Sequence, residues 1–176
     1  GLALSDEMRR TLSPYLDPIA SGYPDGEMTA LAAVRCTQEF LSGALSYAED
    51  APALPVGADF VTYTLKTGTG RDFQYATLAV LALRYYGVPA RYAEGYILTQ
   101  ERAAKAETGP AELRDSDAHA WAEVYQEGVG WLPLEMTPGY ADAMGSAPQA
   151  GALAAGLSEQ TDSESTVGTT AGDGSG

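Results

Sequence analysis

The sequence has a single cysteine and little positive charge, and each of these two shortages excludes a class of function. Cys36 is the only cysteine among 176 residues, so the chain cannot form an internal disulfide or a zinc site built from several cysteines. Ten Lys and Arg residues stand against 24 Asp and Glu residues, which gives a formal net charge of -14. Because nucleic-acid binding depends on a basic surface, we expect no nucleic-acid partner.

Long hydrophobic runs are also absent. A helix needs about 20 apolar residues to cross a bilayer, and no stretch of the sequence approaches this length, so we expect no direct membrane insertion by this chain. Large apolar residues are nearly missing from residue 147 onward, which predicts a flexible Gly/Ala/Ser/Thr-rich acidic tail over 147–176. Because the chain starts at Gly1 rather than methionine, we interpret it as a fragment of a longer protein.

The first third of the chain contains two predicted helices. Leu2–Leu16 predicts an N-terminal helix interrupted at Pro14, and we interpret residues 1–26 as a helical extension. Met28–Tyr47 has apolar residues at helical spacing and predicts the first helix of a single domain over residues 27–146.

A glycine turn, a helix and a strand follow one another in the middle of the chain. The turn is Gly68–Gly70, and the helix begins near Asp72 and ends at Gly87, because Pro89 cannot continue it. Val88–Leu98 alternates in the manner of a half-buried strand. The N-terminus of a helix stabilises an anion or a nucleophile, so this stretch is a candidate site.

Two alternating segments near residue 125 predict a β-hairpin. Ala118–Tyr125 and Trp131–Thr137 each alternate between two faces, and the glycine-containing Glu127–Gly130 joins them. If Tyr125 pairs with Trp131, the two segments form an antiparallel pair with a defined register.

This register places the only histidine, His119, near Glu135. With Tyr125 opposite Trp131, Glu135 is the diagonal same-face neighbour of His119 and lies within reach of a long side chain. A slip of one residue would put the two side chains on different faces. A lone histidine on a strand is more often structural than functional, so the pairing alone leaves its role open.

Together these motifs resemble the transglutaminase-like superfamily over about Phe40 to Tyr140. The resemblance rests on the glycine turn, Tyr75-Ala76 in the first turn of the helix, Arg84 to Arg91 as RYYGVPAR, Gly95-Tyr96, His119-Ala120-Trp121, and Gly130-Trp131 running into Glu135-Met136-Thr137-Pro138. It implies an α+β fold with a papain-like core, in which helices pack on a small antiparallel sheet.

The resemblance also implies roles for three residues. His119 falls on the family's general base, and Glu135 falls on its orienting carboxylate, where aspartate is usual. Asp72 stands at the position of the nucleophilic cysteine. Cys36 cannot replace it by sequence, because it belongs to a different helix, in which we expect it to be a buried packing residue.

Three aromatic residues are expected to line or flank the same cleft. By the resemblance, Tyr96, Trp121 and Trp131 come close to His119. Ordinary core packing is the alternative for such large side chains.

Asp72 has a structural interpretation that does not involve catalysis. A carboxylate is a far weaker nucleophile toward amides than a thiolate. Aspartate is also among the best N-cap residues, and its charge suits the positive end of a helix. We therefore expect Asp72 to be an N-cap that has replaced the nucleophile.

The sequence thus predicts a transglutaminase-like domain that lacks the catalytic cysteine and acts as a non-catalytic binding or structural module. The resemblance implies an extracytoplasmic location in a larger membrane-anchored protein, with protein or cell-wall peptide ligands and no cofactor. Two alternatives stay open. One is an active amide hydrolase or acyltransferase that uses Asp72, His119 and Glu135, and the other is a divalent metal site at the same three residues.

Overall fold

The computed structural model describes residues 3–23, 28–98, 102–104, 109–110 and 112–140. The elements follow one another in this order: α1 (Asp6–Ala20), α2 (Ala30–Ala44), β1 (Ser46–Tyr47), α3 (Phe60–Thr67), β2 (Thr69–Gly70), α4 (Asp72–Tyr85), β3 (Ala90–Tyr96), a 3-10 turn (Asp115–Asp117), β4 (Ala118–Gln126) and β5 (Gly130–Leu134). The predicted tail over 147–176 lies outside the described residues. Within them, no helix is long and apolar enough to cross a membrane.

Strands β3, β4 and β5 form an antiparallel sheet in that order. The predicted pairing of Tyr125 with Trp131 is confirmed, although the ladder between β4 and β5 ends at Leu134, so Glu135 lies just beyond the strand. The short strands β1 and β2 pair in parallel and tie the end of α2 to the start of α4. The expected α+β class, with helices packed on a small antiparallel sheet, is confirmed.

Helix α4 lies at the centre of the packing. It contacts β3 and β4 of the sheet as well as α1 and α2. Leu78, Ala79, Ala82 and Leu83 are fully buried, so apolar residues occupy more than one face of the helix. A helix that is apolar on several faces belongs in the interior of a fold. Its two ends are therefore held in fixed positions relative to the sheet.

Two predicted helix boundaries differ from the structure. Helix α1 continues through Pro14 to Ala20, because burial of Leu12 and Leu16 outweighs the hydrogen bond that the proline removes. Helix α2 ends at Ala44 rather than Tyr47, since β1 pairs with β2 instead. In both cases tertiary packing overrides the local pattern.

The N-terminal helix shares its core with the rest of the described domain. Leu12 and Leu16 of α1 have no exposed surface and belong to the same hydrophobic cluster as Val34 of α2 and Leu78 of α4. Helices α1 and α2 therefore bury their apolar faces together. The predicted division of the chain between residues 26 and 27 stays a prediction.

We expect Leu16→Ala to lower the free energy of unfolding by about 2–5 kcal/mol, because a fully buried leucine leaves a cavity when it is truncated. Urea denaturation at neutral pH measures the change. Arg10→Ala, at an exposed position of the same helix, is the control and should change stability by less than about 0.5 kcal/mol. Equal stability of the two variants would show that α1 does not contribute to the core.

Candidate functional site at the start of helix α4

The glycine turn fixes where α4 begins. Helix α3 ends at Thr67, and the next residue, Gly68, has a φ of 66°, which favours glycine. At Gly70 a Cβ atom would lie 2.8 Å from the Cβ of Gln74, so only glycine fits. The Arg71 backbone N–H donates a hydrogen bond of 2.7 Å to Oε1 of Gln74. This bond satisfies one of the N–H groups that have no partner within the helix at its N-terminus.

Asp72 is the first helical residue, and its carboxylate points toward the sheet. Arg71 holds the extended backbone of the N-cap position, and Asp72 Oδ2 accepts a hydrogen bond of 3.0 Å from the Ala120 N–H of β4. The expectation that Asp72 caps the helix is therefore wrong. Because its oxygen bonds a strand instead of the first turn, Asp72 joins α4 to β4.

His119 and Glu135 are in close contact at the site. His119 is 4% exposed, and its Nε2 lies 2.6 Å from Glu135 Oε2. The other carboxylate oxygen, Oε1, accepts a hydrogen bond of 2.6 Å from the Thr137 N–H. The side chain of Glu135 is 3% exposed, so both of its oxygens have partners where water is excluded. The diagonal neighbours that the hairpin register predicts are thus in contact.

Asp72 faces the opposite nitrogen of the same ring. Its Oδ2 lies 3.2 Å from His119 Nδ1, which is within ion-pair distance. Nδ1 itself has no aligned hydrogen bond to any described residue. The structure therefore brings Asp72, His119 and Glu135 together, with one carboxylate at each ring nitrogen.

This arrangement gives no support to a metal site at the three residues. The two ring nitrogens of an imidazole point in opposite directions, so a single ion at either one would meet only one of the two carboxylates. Over the described part of the chain, no group of three or more His, Cys, Asp and Glu side chains could hold a metal ion.

Two tyrosines that the sequence analysis missed complete the surroundings of His119. The Tyr140 ring stacks on the imidazole, with 4.3 Å between centroids and 13° between planes. The hydroxyls of Tyr140 and Tyr47 lie 3.2 Å apart, and this hydrogen bond, together with burial, raises the pKa of Tyr47. Pro138-Gly139 turns the chain back toward the site, with a φ of 83° at Gly139. This Pro-Gly turn signal is the one feature of the sequence that could have pointed to Tyr140.

An open cleft of about 570 Å³ lies in front of the site. Its lining includes an aromatic set, namely Phe73, Tyr92 and Tyr96, and a polar set, namely Arg71, Asp72, Glu94 and His119. The Tyr92 hydroxyl donates a hydrogen bond of 2.5 Å to Glu94, so the two residues form a polar edge of the cleft.

The three aromatic residues expected at the cleft occupy different places. Tyr96 lines the cleft and is 53% exposed. Trp121 is stacked beside His119, with 6.4 Å between ring centroids, and it lies over Gly95, where a Cβ atom would come within 2.8 Å of the indole. Trp121 therefore flanks the site rather than lining the cleft.

Trp131 lies away from the cleft, contrary to the expectation. It pairs with Tyr125, which is six residues along β4 from His119, or roughly 20 Å at about 3.3 Å per residue. Its ring packs against Tyr125 and lies 4.4 Å from the guanidinium of Arg91. The same register that unites His119 with Glu135 thus places Trp131 at the other end of the hairpin.

Cys36 takes no part in the site. It is fully buried in α2, and burial raises the pKa of its thiol. A raised pKa keeps the sulfur protonated at neutral pH, and a protonated thiol is a poor nucleophile. The predicted packing role therefore agrees with its position.

The comparison with protein families identifies the class to which this fold and site belong. The model of the transglutaminase-like superfamily matches residues 17–136, which is well over half of the chain. The chain belongs to this superfamily, and the expected papain-like core is confirmed.

The chain is similar to part of each of two curated relatives. The uncharacterized protein YebA of Bacillus subtilis (strain 168) is 30% identical over 111 residues, which are 61% of this chain and 15% of the relative. A protein-glutamine gamma-glutamyltransferase of Pseudomonas aeruginosa is 31% identical over 140 residues, which are 77% of this chain and 18% of the relative. The chain thus spans less than a fifth of each relative's length.

A solved structure supports the same relationship. The periplasmic domain of TgpA from Pseudomonas aeruginosa, bound to ethylmercury, is similar with a TM-score of 0.56 and 26% identity. The match covers 77% of this chain and 46% of that one. The chain contains a transglutaminase-like domain homologous to that periplasmic domain.

We expect Glu135→Gln to lower the free energy of unfolding by about 1–3 kcal/mol, because the amide loses the charge that faces both His119 and the Thr137 N–H in a buried site. Denaturation in urea at pH 7 gives the difference. Glu123→Gln, which changes the same side chain in the ion pair with the half-exposed Arg91, is the control and should cost at most about 1 kcal/mol. A smaller cost at Glu135 than at Glu123 would contradict the buried contact.

Proposed function

We propose that this domain has lost thiol-based acyl transfer and binds a ligand in the cleft in front of Asp72. The observation that carries the proposal is the carboxylate of Asp72, which lies 3.2 Å from His119 Nδ1. By the family resemblance, that is the side of the imidazole on which the nucleophilic cysteine belongs. The only thiol of the chain, Cys36, is buried in another helix.

The chemistry of a carboxylate explains why the substitution ends acyl transfer. A thiolate attacks an amide carbonyl to give a thioester, which an amine or water then resolves. A carboxylate attacks amides poorly and would give a mixed anhydride. Oδ2 of Asp72 also accepts the Ala120 N–H, so the oxygen nearest to His119 already has a structural partner.

In this proposal, the remaining contact between His119 and Glu135 has a structural role. Buried charges are tolerated when they are paired and hydrogen-bonded, and both oxygens of Glu135 have partners. Removing one member would leave the others unsatisfied. The site thus persists as a support for the cleft after its chemistry is lost.

The open cleft supports a binding role. Phe73, Tyr92 and Tyr96 leave large aromatic surfaces exposed, and aromatic side chains contribute strongly to recognition. We place the domain outside the cytoplasmic membrane, in a larger membrane-anchored protein, with a protein or a cell-wall peptide as ligand. The periplasmic location of the TgpA domain supports this placement.

A second candidate function is an amide hydrolase or acyltransferase that uses Asp72. The close contact between His119 Nε2 and Glu135 Oε2 favours it, because an oriented imidazole can act as a general base. Asp72 would then take the place of the nucleophile or position a water. A screen for amidase and acyl-transfer activity separates this function from the binding module.

We expect the wild-type domain to incorporate no fluorescent amine into a glutamine-containing peptide, and Asp72→Cys to create a reactive thiol. The new sulfur would lie beside His119, so iodoacetamide should alkylate it at pH 7 at least about ten times faster than it alkylates Cys36. Peptide mapping by mass spectrometry distinguishes the two thiols.

The control is Asp72→Cys combined with His119→Ala, in which the rate at the new thiol should fall toward that of an ordinary exposed cysteine. Amine incorporation by the wild type would contradict the loss of transfer activity. A new thiol that reacts equally with and without His119 would contradict the assigned position of Asp72.

A further inference from the structure

A second, smaller cavity opens beside the cleft. Its volume is about 150 Å³, and Arg71 and Phe73 contribute to the walls of both cavities. The other lining residues come from the loop before α3, from α3 itself and from α4, and they include Glu49, Pro52, Ala53, Leu54 and Phe60. The two cavities are therefore adjacent, and the two residues that they share, Arg71 and Phe73, flank Asp72 in the sequence.

The walls of the smaller cavity are mainly apolar. The rings of Phe60 and Phe73 pack against each other with 6.1 Å between centroids, and Pro52 and Leu54 of the loop line the same cavity. Leu54 is 45% exposed and Phe73 is 37% exposed, so apolar surface remains uncovered at the entrance. An apolar cavity of about 150 Å³ can hold a group of roughly the size of benzene.

The charged groups around the entrance indicate which ligand groups the cavity can bind. Within the described residues, the guanidinium of Arg71 makes no hydrogen bond or ion pair, so its N–H donors are available for main-chain carbonyl groups of a ligand. Glu49 lines the small cavity, and Asp72 and Glu94 line the cleft beside it. These carboxylates disfavour an acidic side chain, and the apolar part of the wall favours an apolar one.

We propose that this cavity receives the apolar side chain of an extended peptide whose main chain lies along the cleft past Asp72. The inference rests on the proposed binding function and adds the class of ligand. Arg71 would donate to the peptide carbonyl next to the buried residue. An aliphatic or aromatic side chain no larger than that of phenylalanine would be selected.

The test uses peptides of the form acetyl-Gly-Gly-X-Gly-Gly-amide, where X is Leu, Phe, Gly or Glu, titrated into the isotope-labelled domain and followed by NMR. We expect the Leu and Phe peptides to bind at least about tenfold more tightly than the Gly peptide, because the side chain leaves water. The Glu peptide should bind no better than the Gly peptide. Equal binding of the Leu and Gly peptides would overturn the proposal.

Two variants of the loop before α3 test whether the peptide side chain binds in the smaller cavity. Ala53→Phe projects a ring into the cavity from an exposed position and should weaken binding of the Leu peptide about tenfold. Val56→Phe lies in the same loop at a fully exposed position outside the cavity, so it should leave the affinity unchanged. Unchanged affinity in Ala53→Phe would overturn the proposal.

The NMR signals distinguish an error in the proposed apolar pocket from an error in the proposed binding function. If all peptides shift the amides of Tyr96 and Ala118 with equal affinity, the cleft binds peptide and the apolar pocket is wrong. If no peptide shifts these amides, the proposed ligand class is wrong as well. The thiol experiment on Asp72→Cys tests the loss of transfer chemistry independently of both results.

Discussion

The buried imidazole of His119 imposes the constraint on which the rest of the site depends. One carboxylate lies at each of its nitrogens, with Glu135 at 2.6 Å and Asp72 at 3.2 Å. Charged groups that lose water must be paired, so the three side chains hold one another in place. They come from the start of α4, the start of β4 and the segment after β5, and their contact joins these three parts of the chain.

The same constraint connects the structure to the proposed function. Hydrogen bonds from Ala120 to Asp72 and from Thr137 to Glu135 satisfy the carboxylates from the backbone, and Tyr140 covers one face of the ring. These contacts connect the cluster to the backbone of β4, to the segment after β5 and to Tyr140. The cleft lies beside this cluster, because Asp72 and His119 contribute to its lining. In the proposed function, the exposed aromatic residues of the cleft bind a ligand without any covalent step.

Strong local signals made the hairpin and the contact of His119 with Glu135 predictable, because strand alternation fixes the face and the turn fixes the register. The α+β class was implied by the family resemblance, which the order of the motifs supports. The role of Asp72 was not predictable, since an N-cap and a bond to a distant strand have the same local sequence. Tyr140 was missed because the Pro-Gly turn before it signals a change of chain direction but not a ring stacked on His119. Trp131 was misplaced because its position was taken from the family resemblance, whereas the predicted register already put its partner Tyr125 six residues from His119.

The most direct test of the central claim, that Asp72 replaces the nucleophile without taking over its chemistry, is to incubate the wild-type domain with a glutamine-containing peptide and hydroxylamine. Hydroxylamine intercepts an acyl group whether an anhydride or a thioester carries it. We predict that mass spectrometry will show an unchanged peptide and an unmodified protein. A peptide hydroxamate that forms with the wild type and disappears in Asp72→Asn would contradict the claim and establish Asp72 as a catalytic residue.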